Sequence, residues 1–356
     1  MIIYKNANIN GEIVDLRIEN GKFSEVGKFS EDGVDLNGAK VYPGLVDVHS
    51  HGCIGYDVMD GGHIDEMSEY LAKNGTTSWL PTTMTVDMSD VRKVLSDTGN
   101  GLGAEVLGFH AEGPYISPKY KGAQNEKFIK APDFEEFRTL ENVKMVTIAP
   151  EIEGSVEFIE KCDCVVSLGH TDADYECADK AIKKGANCLT HTFNAMPPLH
   201  HRNPGVIGAA IENDIYVQLI CDGIHIHKSV VKMLYKTFGA DKVVLISDSM
   251  RATGLSDGEY DLGGQRITVK DSVARTQDGA LAGSTSTLFA CVRKAIEFGI
   301  PEADAFKMAS ETPAEMIGVK KGKIEVGYDA DFIVLDDSLN VTMTVIHGKG
   351  KDITKK

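Results

Sequence analysis

Residues 45–51 read Leu45-Val46-Asp47-Val48-His49-Ser50-His51: a short apolar run, rich in β-branched side chains, that ends in two imidazoles. Such a run has the character of a buried strand. Seven more follow: Thr77 to Thr83, Glu105 to Ala111, Lys144 to Ala149, Cys164 to Leu168, Asn187 to Thr190, Tyr216 to Cys221 and Lys242 to Ser247. Segments of helical period lie between them, among them Ile64 to Lys73, Ser89 to Ser96, Ala173 to Lys184 and Lys228 to Phe238. Eight β-then-α units over residues 43–317 make a closed parallel (β/α)8 TIM-like barrel of the α/β class the simplest arrangement. A doubly wound open sheet is the alternative, but no GxGxxG follows the early strands and the length suits a barrel.

Outside this rhythm the chain is β-rich at both ends. Met1 to Ala7, Glu12 to Glu19 and Phe23 to Val26 alternate with glycine-marked turns, and Lys323 to Val326, Asp331 to Leu335 and Val341 to His347 look similar. Residues 1–42 and 318–356 are therefore expected to form one small β-sandwich domain together. Between Arg251 and Gly283 the helical period vanishes, which predicts a β insertion near the barrel mouth. Helices return at Thr287 to Phe298 and Glu302 to Ser310.

The bulk properties narrow the function. Thirty-seven basic against 53 acidic residues leave a net charge of −16. Without a run of Lys or Arg to offset it, such a surface repels nucleic acid and anionic lipid. No signal-like N-terminus and no membrane-spanning apolar stretch is evident. The seven scattered cysteines include no CxxC pair and read as buried thiols in a reducing compartment, so a cytoplasmic location is expected.

The polar residues cluster where the strands end. His49 and His51 follow the first strand, His110 and Glu112 the third, His170 the fifth, His191 the sixth, Asp222 and His225 the seventh, and Asp248 the eighth. In a parallel barrel these ends converge on the face that carries active sites. One histidine at a strand end is ordinarily a half-buried or capping side chain. With His227 just past His225, seven of eleven histidines lie at or just past such ends, a pattern that random placement does not favour. Imidazoles and carboxylates together suit a first-row divalent ion, and a set without cysteine suits an open, catalytic site. His49 and His51, two apart on a strand, point to one side and reach one ion. Glu112, His170 and His191 reach a second position. Asp248 arrives alone, as suits a general base. The rival reading of Asp248 as a helix cap is weakened by Gly254 and Gly258, which follow where a helix would run.

At these residues the chain resembles the amidohydrolase superfamily, and within it the N-acetylglucosamine-6-phosphate deacetylases. The motifs are Pro43 to Gly52, His110-Ala111-Glu112-Gly113-Pro114-Tyr115, Gly169-His170-Thr171, Thr190-His191-Thr192-Phe193-Asn194-Ala195-Met196, Asp222-Gly223-Ile224-His225 and Ser247-Asp248-Ser249-Met250. The resemblance spans essentially the whole chain. It implies a divalent metal, with zinc favoured over iron, cobalt or manganese, on Glu112, His170 and His191, and a second on His49 and His51. It implies Asp248 as the acid/base. Substrate contacts are implied for Ala123, Asn194, Ala195, Arg202, His225, Leu281, Ala282 and Gly283. It also implies a phosphosugar substrate and a homodimer, with Arg202 reaching across. Gln124 stands where the family usually has His, and Cys221 where it often has Ala. Independently of the family, Arg202 sits in a loop before a predicted helix, which suits phosphate. Alternatives are an N-acetylgalactosamine 6-phosphate deacetylase, another amidohydrolase, a non-catalytic scaffold and, disfavoured by the acidic surface, a nucleic-acid deaminase.

Overall fold

The computed structural model of the chain describes residues 1–352. The last four residues of the C-terminal segment assigned to the sandwich, 353–356, lie outside the described residues.

Five strands open the chain: β1 (Ile2–Ile9), β2 (Glu12–Glu19), β3 (Lys22–Gly27), β4 (Val34–Asp35) and β5 (Lys40–Pro43). The parallel core is built from β6 (Leu45–Ser50), β9 (Thr76–Pro81), β10 (Glu105–Val106), β11 (Phe109–Glu112), β12 (Val143–Ile148), β13 (Val165–Leu168), β14 (Cys188–Leu189), β15 (Tyr216–Ile220) and β16 (Val243–Ile246). A small hairpin, β7 (Gly52–Cys53) and β8 (Tyr56–Asp57), follows the first of these. The third expected strand is broken into β10 and β11 at Gly108, whose φ of 133° lies outside the range of a strand.

The parallel strands form two assigned sheets, ordered β10-β9-β6 and β11-β12-β13-β14-β15-β16. Short backbone bridges join them at both seams. Thr82 pairs with His110 at one and Ser50 with Ser249 at the other, where Asp248 N donates to His49 O at 2.9 Å. Side chains sort by parity along each strand. Val146, Ile148, Val217, Leu219, Val243 and Leu245 pack with helix residues such as Phe158, Ala178, Val231 and Leu234. Met145, Ile220, Val244 and Ile246 form a separate cluster. Thr147 and Gln218, which share the parity of that second set, are fully buried polar residues. Both faces being covered explains why the runs read as continuously apolar.

After β16 comes a three-stranded antiparallel sheet, β17 (Gly258–Leu262), β18 (Gln265–Lys270) and β19 (Val273–Thr276), inside the expected insertion. Its Leu262 and Ile267 pack with Met84 and Ala123, so the insertion lies over the strand ends. The predicted second late helix ends at Lys307, and another runs over Glu311–Met316.

The chain closes with β20 (Phe332–Leu335), β21 (Val341–Ile346) and β22 (Lys349–Asp352). These share one sheet with the N-terminal strands, in the order β22-β21-β20-β5-β1-β2-β3, with β4 on β1. Phe23 on β3 and Phe332 on β20 stand four strands apart in that order, about 19 Å in a flat sheet. Their rings are 6.2 Å apart, so the sheet curls onto itself. The expected strand at Lys323 to Val326 does not form. There the Lys323 ammonium is drawn to Glu315 and Glu311, at 2.8 and 2.9 Å, on the preceding helix. No helix among the described residues is long and apolar enough to cross a membrane.

Candidate metal centre and active site

The strand ends place four imidazoles around one carboxylate. Glu112 Oε1 lies 3.3 Å from His170 Nε2, 3.2 Å from His191 Nε2 and 3.4 Å from His49 Nε2. Its Oε2 lies 3.3 Å from His51 Nε2. The two Nε2 atoms of His170 and His191 are 3.1 Å apart, and those of His49 and His51 are 3.2 Å apart. Two nitrogens bound tetrahedrally to a zinc-sized ion stand about 3.3 Å apart, so both spacings fit. Glu112 belongs to both candidate triads, His49-His51-Glu112 and Glu112-His170-His191. Asp248 Oδ1 sits 3.5 Å from His49 Nε2 and 3.4 Å from His51 Nε2.

The outward ring nitrogens explain why the inward ones are free to ligate. Nδ1 of His49 meets the Gln218 amide oxygen at 3.0 Å, and Nδ1 of His51 the Thr82 carbonyl at 3.2 Å. Nδ1 of His170 meets the Tyr120 carbonyl at 2.9 Å, and Nδ1 of His191 the Asn194 carbonyl at 3.2 Å. Each of those oxygens is an acceptor, so Nδ1 carries the proton in all four rings. Every Nε2 then faces the centre, and its lone pair ligates once a bound ion has displaced any proton there, the arrangement metal-binding histidines use.

The backbone is bent to aim these groups. His170, His191 and Asp248 have φ of 47°, 27° and 48°, which side-chain-bearing residues seldom adopt. Hydrogen bonds hold them there: Ser117 N donates to His170 O at 2.8 Å, and His191 N to Gln218 Oε1 at 3.2 Å.

Burial opposes charge on every group, yet the groups offset it mutually. Burial raises the pKa of Asp248, but His49 and His51 more than reverse this and bring it to about 2. Glu112 is likewise buried, and His49 and His170 draw it well below the carboxylate range. Burial lowers the pKa of His51, but Asp248 and Glu112 raise it to about 10. His49 is raised by the same carboxylates, whereas burial leaves His191 lowered. His110 is not part of the ligand set. Its Nε2 bonds Thr147 Oγ1 at 2.7 Å, its ring stands edge-on to His49, and burial holds its pKa well below the usual value.

A cavity of about 440 Å³ opens above the centre. Of the expected substrate residues, Ala123, Asn194, Ala195, His225, Leu281 and Gly283 line it. Ala282 is fully buried behind the wall, packed in the insertion's apolar cluster. Arg202 lies outside the cavity on an exposed loop, against His201 at 2.8 Å. His225 Nδ1 is paired with Asp222 Oδ2 at 2.7 Å. Burial lowers the pKa of His225, but this partner raises it overall.

A family model described as the amidohydrolase family matches residues 41–350. The chain belongs to the amidohydrolase family. Among curated relatives, this amidohydrolase is 40% identical to an N-acetylglucosamine-6-phosphate deacetylase of Bacillus subtilis (strain 168), over 88% of this chain and 85% of that one. It is 34% identical to an N-acetylgalactosamine-6-phosphate deacetylase of Escherichia coli O157:H7, over 94% and 93% of the two chains. Its fold matches the crystal structure of N-acetylglucosamine-6-phosphate deacetylase from Thermotoga maritima with a TM-score of 0.90 at 36% identity, covering 98% of this chain and 99% of that one.

Sequence reasoning did not assign Gln218 or the cavity residues Lys119, Phe193 and Leu262. Gln218 carried a visible signal, an amide inside the apolar run Tyr216-Val217-Gln218-Leu219-Ile220. Phe193 lay within a quoted motif without a role, whereas Lys119 and Leu262 carried no signal, because a turn and the end of β17 bring them to the cavity.

Proposed function

We propose that this amidohydrolase deacetylates N-acetyl-D-glucosamine 6-phosphate, giving D-glucosamine 6-phosphate and acetate. The observation that carries the reading is the Glu112 carboxylate shared by four imidazoles whose Nε2 atoms face it, with Asp248 beside them under a sugar-sized cavity. Relatives named for this reaction align over most of the chain. We assign Glu112, His170 and His191 to one divalent ion, zinc in preference to iron, cobalt or manganese, and His49 and His51 with Glu112 to a second position.

An ion held there supplies Lewis acidity, lowering the pKa of water and polarising the acetamide carbonyl. Asp248, ionised at neutral pH, takes the proton from the attacking water. It then returns that proton to the departing nitrogen, which is a very poor leaving group as an anion. His49 and His51 hold Asp248 at the centre. Asn194, Ala195 and His225 receive the sugar phosphate, with Ala123, Leu281 and Gly283 forming the sugar's walls and Ala282 backing them.

Arg202 completes the anion site from the partner in a homodimer, which accords with its exposure away from the cavity of its own chain. The two parallel sheets and their seam bridges act as one closed (β/α)8 barrel over 43–317. Residues 1–42 and, among the described residues, 318–352 form the small β-sandwich domain, and the enzyme works in the cytoplasm. A galactosamine epimer as substrate is the second reading, favoured by the E. coli relative.

Acetate release from acetylated glucosamine and galactosamine, each with and without 6-phosphate, tests the proposal after metal reconstitution. The glucosamine 6-phosphate derivative is expected to react fastest. No acetate from either phosphorylated sugar would sink the reading.

A further inference from the structure

Gln124 stands where the resemblance leads one to expect His, and its amide is engaged at both ends. The residue is 2% exposed. Its Oε1 accepts a hydrogen bond from Thr85 N at 2.7 Å, and its Nε2 donates to Glu112 Oε2 at 2.5 Å. This orientation follows from chemistry. A backbone N–H is only a donor and an ionised carboxylate only an acceptor, so the reversed amide would oppose like groups at both ends.

Both neighbours of the amide are themselves held. Gln124 N donates to Lys121 O at 2.9 Å, and the Gln265 side chain donates to the Ala123 carbonyl, so the insertion grips this loop. On the other side, Thr85 Oγ1 lies so near Gly113 that a Cβ there would meet it at 2.1 Å. The end of β9 and the end of β11 are thus packed too closely to slide, and Gln124 spans a fixed gap between them.

We propose that Gln124 is a positioning residue that locks the Glu112 carboxylate, committing Oε1 to the ion held with His170 and His191. It rests on the metal-centre part of the reading above. The terminal torsion of a glutamate is broad, so without a fixed donor the plane of the carboxylate turns away from the ion at little cost. With Oε2 held by the amide, Oε1 faces the three imidazoles at 3.2 to 3.4 Å. Because the amide is neutral, it orients the carboxylate without neutralising the charge that attracts the cation.

The test measures zinc affinity of the metal-free chain by competition with a chelator, with no substrate present. Q124M keeps the length of the side chain but cannot donate. It is expected to bind zinc 10- to 100-fold more weakly, the range seen when an outer hydrogen-bond partner of a metal ligand is lost. Q124H restores a ring N–H donor and is expected to return to within about threefold of the parent. Thermal melting of each metal-free variant checks that it is folded, and if Q124M does not fold, Q124L, which also cannot donate, takes its place. Parent-like zinc affinity in Q124M with only KM altered would make Gln124 a substrate contact and overturn the proposal. So would Q124H weakening zinc as much as Q124M. A chain that proves to act on another amide leaves the outcome unaffected.

Discussion

Asp248 and the imidazoles beside it carry two separable expectations. Asp248→Asn preserves shape but removes the proton acceptor. Turnover should fall on the order of 100-fold or more while metal content stays near that of the parent, measured by steady-state assay and elemental analysis. The metal-free centre also has a defined pH response. His51, raised to about 10, stabilises the fold fully below its ordinary value of 6.5, and that contribution is lost as pH rises through about 10. Asp248, lowered to about 2, contributes above its ordinary 3.8 and loses its share as pH falls through about 2. The melting temperature of the metal-free chain should therefore decline from pH 6.5 towards pH 10. Zinc affinity should rise over the same span, because a bound ion must displace those protons. A melting temperature and an affinity that are both flat over this range would contradict the electrostatics described above.

Strands and loops are coupled by one buried cation. Lys321 is 3% exposed and lies 2.6 Å from Glu105 on β10, 3.1 Å from Asp329 and 2.6 Å from Asp331. It joins the parallel core to the loop that leads into β20. His347 closes the network at 3.0 Å from Glu105. Glu105, Asp329 and His347 are close enough to suggest an ion site, but the ammonium already supplies the positive charge. Lys321→Met should cost about 3–5 kcal/mol, because it leaves the buried Asp331 carboxylate without its cation. Denaturant unfolding of the metal-loaded chain measures this.

The proposed role of Arg202 belongs to the assembly of two chains. R202A should raise KM for a phosphorylated substrate and leave zinc affinity unchanged. Mixing unfolded R202A and D248N chains and refolding them together provides the sharper check. If each cavity takes its arginine from the neighbour, a mixed dimer contains one intact site, and random pairing restores about a quarter of the parent activity. Recovery near zero would place Arg202 elsewhere.

The arrangement of strands was legible because each is buried on both faces, so apolar runs mark them without knowledge of neighbours. The candidate site residues were legible for a similar local reason: His49, His51, Glu112, His170, His191 and Asp248 lie at or just past the ends of such runs. Lys323 to Val326 misled because its β-type composition says nothing of the carboxylates that hold Lys323. The sharing of Glu112 between two histidine pairs, the engagement of Gln124 with that carboxylate, and the withdrawal of Arg202 from its own cavity were not written in local pattern. The contacts of Glu112 depend on separations of a few ångströms between atoms 12 to 79 positions apart in the chain, and strand register, curvature and loop packing set those distances.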